Sequence, residues 1–175
     1  MLLTAARDVF DEQGVDAPLD DVARRAGVGN ATLYRHFPTR RELIVAVYAE
    51  EVTAMCDRGQ ALLHDRAPAE ALFGWLQAFI AHVASKRALA LAIPNDQGGQ
   101  RSALFDRWHT AMHATASALL TRAQQAGAVR ADLEAADLLA LATAIALTGA
   151  DTGRTERLLD LLRRGTDPTP AGRAP

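Results

Sequence analysis

The sequence has 175 residues and is poor in cysteine, in aromatic residues and in net charge. Cys56 is its only cysteine, so no disulfide bond can form within the chain. Aromatic residues make up only 5% of the sequence although hydrophobic residues reach 49%, so the core must be mainly aliphatic. The formal net charge of −2 does not indicate a nucleic-acid binder, so any basic footprint has to be local.

Long apolar runs and a secretion signal are also lacking. Charged residues or helix breakers interrupt each apolar run before it reaches the length that spans a bilayer. The opening residues, MLLTAAR, contain too short an apolar run for a signal peptide. We therefore expect a cytoplasmic protein that does not interact with a membrane.

Apolar residues recur every three to four positions along nearly the whole chain, and no sustained alternation of period two interrupts this pattern. The periodicity predicts an all-α fold. Thr39 and Glu42 have the spacing of a capping box, which predicts the start of a long fourth helix. Later helices are predicted at 69–85, 102–125, 132–147 (capped by Asp132) and 154–164, with a loop at 95–100 and a disordered tail at 166–175.

A tight glycine turn separates two short helical patterns in the stretch LDDVARRAGVGNATLYRHFPTRREL, residues 19–43. Between Val22 and Arg41 this stretch holds five arginines and no acidic residue. A helix, a glycine turn and a short second helix form the helix-turn-helix arrangement, whose second helix enters the major groove of DNA. The arginines therefore lie where a polyanion would dock. The alternative interpretation is a solvated helical hairpin with ordinary surface arginines.

A helical wheel of residues 30–37 assigns a face to each side chain of this second helix. Leu33 and Phe37 are one turn apart and point inward. On the outer face, an alanine can contact a thymine methyl group, and asparagine or arginine can hydrogen-bond to base edges. Polar groups on the flanks and at the next helix start can hold phosphates. The predicted DNA-binding residues are Asn30, Ala31, Thr32 and Arg35 for the bases, and Tyr34, His36, Thr39 and Arg40 for the phosphates.

Residues 2–48 resemble the DNA-binding domain of the TetR (tetracycline-repressor-like) family of bacterial regulators. The residues that carry this resemblance are Ala5-Ala6, Phe10, Gly14, Val22-Ala23, Ala26-Gly27-Val28, Thr32-Leu33-Tyr34, His36-Phe37, Thr39-Arg40 and Glu42-Leu43. The later stretch GAVRADLEAADLLAL is similar to the lead-in to the family's penultimate helix. The chain departs from the family pattern at Ala17-Pro18, where many members carry Ser or Thr, and it starts inside its first helix without a basic arm.

The resemblance implies a recognition helix at 30–37 with phosphate contacts at Tyr34, His36 and Arg40. It also implies a homodimer and an all-helical C-terminal domain that binds a small molecule. We therefore expect a three-helix helix-turn-helix domain at 1–48, a ligand-binding and dimerisation domain at 49–165, and the tail at 166–175.

Aromatic and histidine residues cluster on the two helices predicted at 69–85 and 102–125. They either form plain core or line an effector cavity, and both interpretations stay open. His109 and His113 have the spacing of paired metal ligands on a helix, but core or pocket histidines are the more common explanation, so no metal or other cofactor is expected. The predicted ligand-binding residues are Trp75, Phe79, His82, Phe105, Trp108, His109, Met112 and His113.

The helix predicted at 132–147 and the last helix carry more apolar side chains than the exterior of a monomer can expose. Two such helices from each subunit can pack as a four-helix bundle, and a twofold dimer matches paired DNA half-sites. The alternative is an intrachain core that absorbs part of this surface. The predicted dimer-interface residues are Leu138, Leu141, Ala142, Ile145, Leu158 and Leu162.

These observations predict a ligand-responsive transcriptional regulator without enzymatic activity, most simply a repressor that a small molecule releases from a double-stranded DNA operator. One alternative is a helical dimeric carrier or enzyme with a vestigial helix-turn-helix. A second is a DNA-binding module without an effector. Sequence-dependent DNA binding would distinguish the regulator from the carrier or enzyme. An enclosed pocket in the C-terminal domain would distinguish it from the module without an effector.

Overall fold

The computed structural model describes residues 1–92 and 100–168, and the side chains of residues 1–85 and 106–168. Within these residues all regular structure is helical, which confirms the all-α prediction. None of the described helices is long and apolar enough to cross a membrane. The helices are α1 (Leu2–Gln13), α2 (Leu19–Ala26), α3 (Asn30–His36), α4 (Arg40–Leu62), α5 (Pro68–Ala92), α6 (Gln100–Gln125), α7 (Ala135–Leu147) and α8 (Thr152–Gly165).

The chain divides into two compact units. The first unit comprises Met1–Ala54 and Ser85–Trp108, and the second comprises Met55–Ala84 and His109–Pro175. Helix α4 therefore contributes its first part to one unit and its last part to the other. The sequence did not predict that residues 85–108 group with the N-terminal helices.

The first unit packs the apolar faces of its short helices into one core. Gly27 ends α2 in the left-handed conformation with φ of 68°, which a residue without a Cβ adopts without strain. Its backbone N–H bonds back to α2, and the chain turns directly into α3. The buried side chains of this core include Ala5, Ala6, Val9, Phe10, Leu19, Val22, Ala23, Ala26, Leu33, Leu43, Ile44 and Val47.

The capping box predicted at the start of α4 is present. The Thr39 hydroxyl accepts a hydrogen bond from the Glu42 N–H at 3.2 Å, and the Glu42 carboxylate accepts one from the Thr39 N–H, also at 3.2 Å. This reciprocal pair satisfies two donors at the helix start.

Gly59 on α4 lets three helices of the second unit approach closely. A Cβ placed on Gly59 would lie 2.1 Å from Cγ2 of Thr115 and 3.0 Å from Nε1 of Trp75. The same indole nitrogen donates a hydrogen bond to the carbonyl oxygen of Met55 at 3.0 Å, so Trp75 is held against α4 by both packing and polar contact. Trp75 also stacks on Phe79, with ring centroids 5.6 Å apart.

The predicted bounds of four helices were wrong. Helix α6 begins at Gln100 instead of residue 102, so Gln100 is not part of the predicted loop. Helix α5 continues to Ala92, because Lys, Arg, Ala and Leu after Ser85 are good helix formers and no breaker precedes Pro94. Helix α7 begins at Ala135 and Asp132 does not cap it, since Arg130 engages both carboxylate oxygens of Asp132 at 2.9 and 2.5 Å.

The last helix begins at Thr152 instead of residue 154. The side chain of Asp151 accepts the N–H of Arg154 at 2.8 Å and caps this helix. The predicted tail starts at Thr166, whose side chain is buried and whose carbonyl accepts the N–H of Arg130 at 3.0 Å. Residues 169–175 of that tail, and most of the predicted loop at 95–100, lie outside the described residues.

Candidate nucleic-acid interface

Helix α3 is anchored by one fully buried side chain and presents the others outward. Leu33 has no exposed surface, as predicted, whereas Phe37 is half-buried. Thr32 is half-buried at the edge of the exposed face. The exposed residues of α3 are Asn30, Ala31, Tyr34, Arg35 and His36, and Tyr34 has 46% of its surface free. The structure thus brings the predicted base-reading residues onto one accessible helix.

Most arginines of the basic cluster have partners within the chain. Arg24 pairs with Asp21 on the same helix at 2.7 Å. Arg25 reaches back to Glu12 on α1 with two hydrogen bonds of 2.9 and 2.5 Å. These hydrogen bonds lower the pKa of the Glu12 carboxyl, because they stabilise its charged form. The sequence could not show the pairing of Arg25 with Glu12, since Glu12 lies on the preceding helix.

Arg40, predicted to contact phosphate, has a structural role that the sequence did not reveal. Its Nη1 donates hydrogen bonds to the carbonyl oxygens of Val15 at 2.8 Å and Ala17 at 2.7 Å. Both carbonyls belong to the loop between α1 and α2, where no helix partner is available to them. Arg40 therefore holds the loop that leads into the helix-turn-helix.

Arg35 is the exception in the cluster. Arg41 also interacts within the chain. Of the five arginines, Arg35 makes no hydrogen bond or ion pair to any described residue. An exposed guanidinium on the outer face of α3 is available to an acceptor outside the chain.

Thr39 and Asn30, two further predicted contacts, also have internal partners. Thr39 is exposed but its hydroxyl and N–H are both used in the capping box of α4. The amide nitrogen of Asn30 donates to the carboxylate of Asp20 on α2 at 2.9 Å. The two short helices are thus joined at their first turns.

The side chains predicted to bind an effector fall into separate environments. Trp75, Phe79, His82 and Met112 are buried in the second unit. Trp108 is buried in the first unit, where its ring centroid lies 4.7 Å from that of Tyr48, and burial raises the pKa of the Tyr48 hydroxyl.

His109 and His113 are both exposed, and their place in an effector site stays a prediction. His113 Nδ1 lies 3.4 Å from the Ser117 hydroxyl. The side chain of Phe105 lies outside the described residues. No group of three or more metal-ligating side chains occurs where the structure describes the chain.

The second unit contains open clefts that the sequence did not predict. One, of about 270 Å³, lies between α5 and α8 and is bordered by Phe73 and by the Glu70–Arg163 ion pair. Another, of about 240 Å³, lies between α6 and the start of α7 and includes His113. A third, of about 320 Å³, lies between α5 and the α7–α8 turn. None of these three is lined by the predicted aromatic residues.

The residues predicted to form a dimer interface divide into buried and exposed sets. Leu138, Ala142 and Ile145 are buried within the single chain, and their place in a dimer interface stays a prediction. Leu158 and Leu162 are half-buried. Exposed leucines remain on both helices, with Leu141 and Leu147 on α7 and Leu161 on α8.

A short, exposed second helix after a glycine turn, with a helical unit beyond it, defines the class of helix-turn-helix regulators. Residues 2–47 match the family described as bacterial regulatory proteins, tetR family. Residues 67–168 match the domain described as transcriptional regulator SbtR-like, C-terminal domain. The chain belongs to the TetR family of bacterial transcriptional regulators.

Solved structures share this fold over nearly the whole chain. The TetR transcriptional regulator SCO0520 from Streptomyces coelicolor is 39% identical, with a TM-score of 0.81 over 96% of this chain and 97% of that one. A TetR transcription regulatory protein from Mycobacterium vanbaalenii is 34% identical, with a TM-score of 0.77 over 95% and 92% of the two chains.

Curated relatives match over about fifty residues of the chain. The transcriptional activator FasR from Mycolicibacterium smegmatis is 44% identical over 52 residues, which are 29% of this chain and 24% of FasR. The matched segments span between 23% and 37% of the curated relatives' own lengths.

Proposed function

We propose that this chain is a homodimeric regulator that binds a double-stranded DNA operator through α3 and releases it when a small molecule binds. Repression is the simplest form of this activity, because an occupied operator blocks transcription until the effector arrives. The observation that carries the proposal is the exposed face of α3, on which Arg35 has no partner among the described residues.

In this mechanism the outer face of α3 enters the major groove. Arg35 donates two hydrogen bonds to a guanine, and Asn30 and Ala31 contact neighbouring bases. Tyr34 and His36, on the flanks of the helix, donate to phosphate oxygens and fix its register on the duplex.

Dimer formation is supported by leucines that the single chain leaves exposed. Leu141, Leu147 and Leu161 have 50%, 51% and 63% of their surface free. They lie on α7 and α8, helices that pack against each other in the second unit. A twofold axis through this face presents two copies of α3 to two operator half-sites.

Effector binding is supported by family membership and by the apolar interior of the second unit. We place the effector site near Trp75, Phe79, His82 and Met112, which sit on α5 and α6. Helix α4 contacts Trp75 at Gly59 and belongs to both units, so it can transmit a change around the effector. A ligand that lowers DNA affinity 100-fold needs about 2.8 kcal/mol of coupling between the two sites.

The experiment is a salt titration of binding to DNA from the gene's own upstream region. We expect sequence-dependent affinity that falls as salt rises, because phosphate contacts release counterions. Arg35→Ala should reduce the ratio of operator to random-DNA affinity by roughly 5- to 150-fold, the discrimination of one good base contact. Arg24→Ala is the matched control, since Arg24 lies in the same unit but pairs with Asp21.

Two results would contradict the proposal. If the wild-type chain shows no sequence-dependent binding, the helix-turn-helix is vestigial and a carrier or enzyme becomes the better explanation. If Arg35→Ala leaves the affinity ratio unchanged, the groove-facing side of α3 is assigned incorrectly.

A further inference from the structure

A single side-chain hydrogen bond joins the first turn of α2 to the first turn of α3. The amide nitrogen of Asn30 lies 2.9 Å from Oδ1 of Asp20, and both side chains are exposed. The neighbouring Asp21 is engaged by Arg24 instead. Asp20 and Asn30 therefore form a pair at the first turn of α3, directly after the glycine turn.

This pair determines which way the asparagine amide points. A free asparagine side chain rotates its oxygen and nitrogen between nearly equivalent positions. An aspartate carboxylate can only accept hydrogen bonds, so the atom that faces Asp20 must be the amide nitrogen. The amide oxygen and the second N–H of Asn30 stay available to a partner outside the chain.

Among the base pairs, adenine presents the complementary groups in the major groove. Its N7 accepts a hydrogen bond and its N6 amino group donates one, which matches an amide that offers one N–H and one oxygen. Guanine presents two acceptors at the same positions, so an amide of fixed orientation places its oxygen against one of them.

We propose that Asp20 is a positioning residue that fixes the amide of Asn30 for bidentate recognition of an adenine in each half-site. This inference rests on the proposed function, since it requires α3 to enter the major groove. Asp20 itself touches no base. Its effect is to hold one orientation of the Asn30 amide before DNA arrives, so that no binding free energy is spent on selecting it.

The test is a binding selection from duplexes with a randomised 20-base-pair core, followed by sequencing of the bound DNA. Wild type should select an adenine at one position of each half-site, and Asn30→Ala should lose that preference. Asp20→Ala and Asp20→Asn should reduce the adenine preference at the same position at least threefold while leaving the other positions unchanged. Circular dichroism of each variant establishes that its helices are intact.

Asp21→Ala is the matched control. It removes the same charge from the same turn of α2, but Asp21 pairs with Arg24 on its own helix. It should change no base preference. As a second measurement, replacing the selected adenine by 7-deazaadenine removes N7 and should weaken binding by wild type but not by Asn30→Ala.

The outcomes distinguish this inference from the proposed function. If Asp20→Ala selects the same sequences as wild type, or weakens every position equally, Asp20 does not position Asn30. Loss of a separate cytosine preference would show that Asp20 reads a base itself and would also overturn the inference. A wild-type chain that selects no sequence would overturn the proposed function first, and the inference with it.

Discussion

The internal role of Arg40 makes a prediction that separates folding from DNA binding. The guanidinium donates two hydrogen bonds to the carbonyls of Val15 and Ala17, and the Ala17 side chain is buried beside them. Arg40→Ala removes both bonds and leaves two acceptors in a partly enclosed loop. We expect the variant to lose stability even where no DNA is present.

The magnitude follows from these two bonds. A hydrogen bond to a charged group contributes about 1.5–3 kcal/mol, and the lower end applies because Arg40 is only partly buried. Two bonds from one nitrogen should therefore stabilise the fold by roughly 3 kcal/mol in total. For a chain of this size that corresponds to a fall in Tm of about 6–12 °C.

Urea denaturation followed by circular dichroism measures this loss. Arg40→Lys is the informative control, since an ammonium group keeps the charge for a phosphate but lies one bond short of the Nη1 position that reaches both carbonyls. We expect Lys to recover at most about half of the lost stability. If Arg40→Ala unfolds within 0.5 kcal/mol of wild type and loses only DNA affinity, the loop contacts do not stabilise the fold and Arg40 acts on phosphate.

Three further predictions concern the second unit. Gly59→Ala should cost about 1–3 kcal/mol because its Cβ would clash with Thr115, whereas Gly74→Ala, with nothing within 4 Å of its Cβ, should stabilise α5 by about 0.5–1 kcal/mol; thermal melts compare the two. Leu161→Glu should weaken the proposed dimer about 30- to 1,000-fold, measured by light scattering across dilution, because two partly exposed leucines are lost per twofold interface; an unchanged dimer would exclude this face. The hydrogen bond from Arg163 on α8 lowers the pKa of Glu70 below its ordinary 4.5. The stability that this ion pair contributes is therefore present above pH 4.5 and is lost as the pH falls through the lowered pKa. Glu70→Gln should flatten that part of the acid unfolding curve, and an unchanged curve would show that the pair contributes nothing.

Local signals in the sequence predicted the helix ends of the helix-turn-helix segment well. The spacing of Thr39 and Glu42 identified the capping box, and Gly27 identified the end of α2, because each signal depends only on residues a few positions apart. The inward direction of Leu33 followed from the helical period for the same reason.

The contacts that the sequence missed join residues far apart in the chain. Arg40 bonds to carbonyls more than twenty residues away, and Glu70 pairs with Arg163, which also lies 5.6 Å over the ring of Phe73. Periodicity does not reveal which acceptor a long arginine side chain will reach. The same limit explains why the sequence did not show that Leu138 is buried in the single chain.

The internal partners of the arginines also determine which arginine side chains can bind DNA phosphates. The side chains of Arg25 and Glu12 are 40% and 53% exposed, and exposed ion pairs contribute little, so a phosphate can replace Glu12 at small cost. Arg40 cannot leave its carbonyls so easily, because these acceptors would lose their hydrogen bonds in a partly buried loop. Arg35 does not have to give up a partner among the described residues in order to bind DNA. The salt dependence of DNA binding should therefore reside in the exposed ion pairs, whereas the choice of sequence should reside in α3.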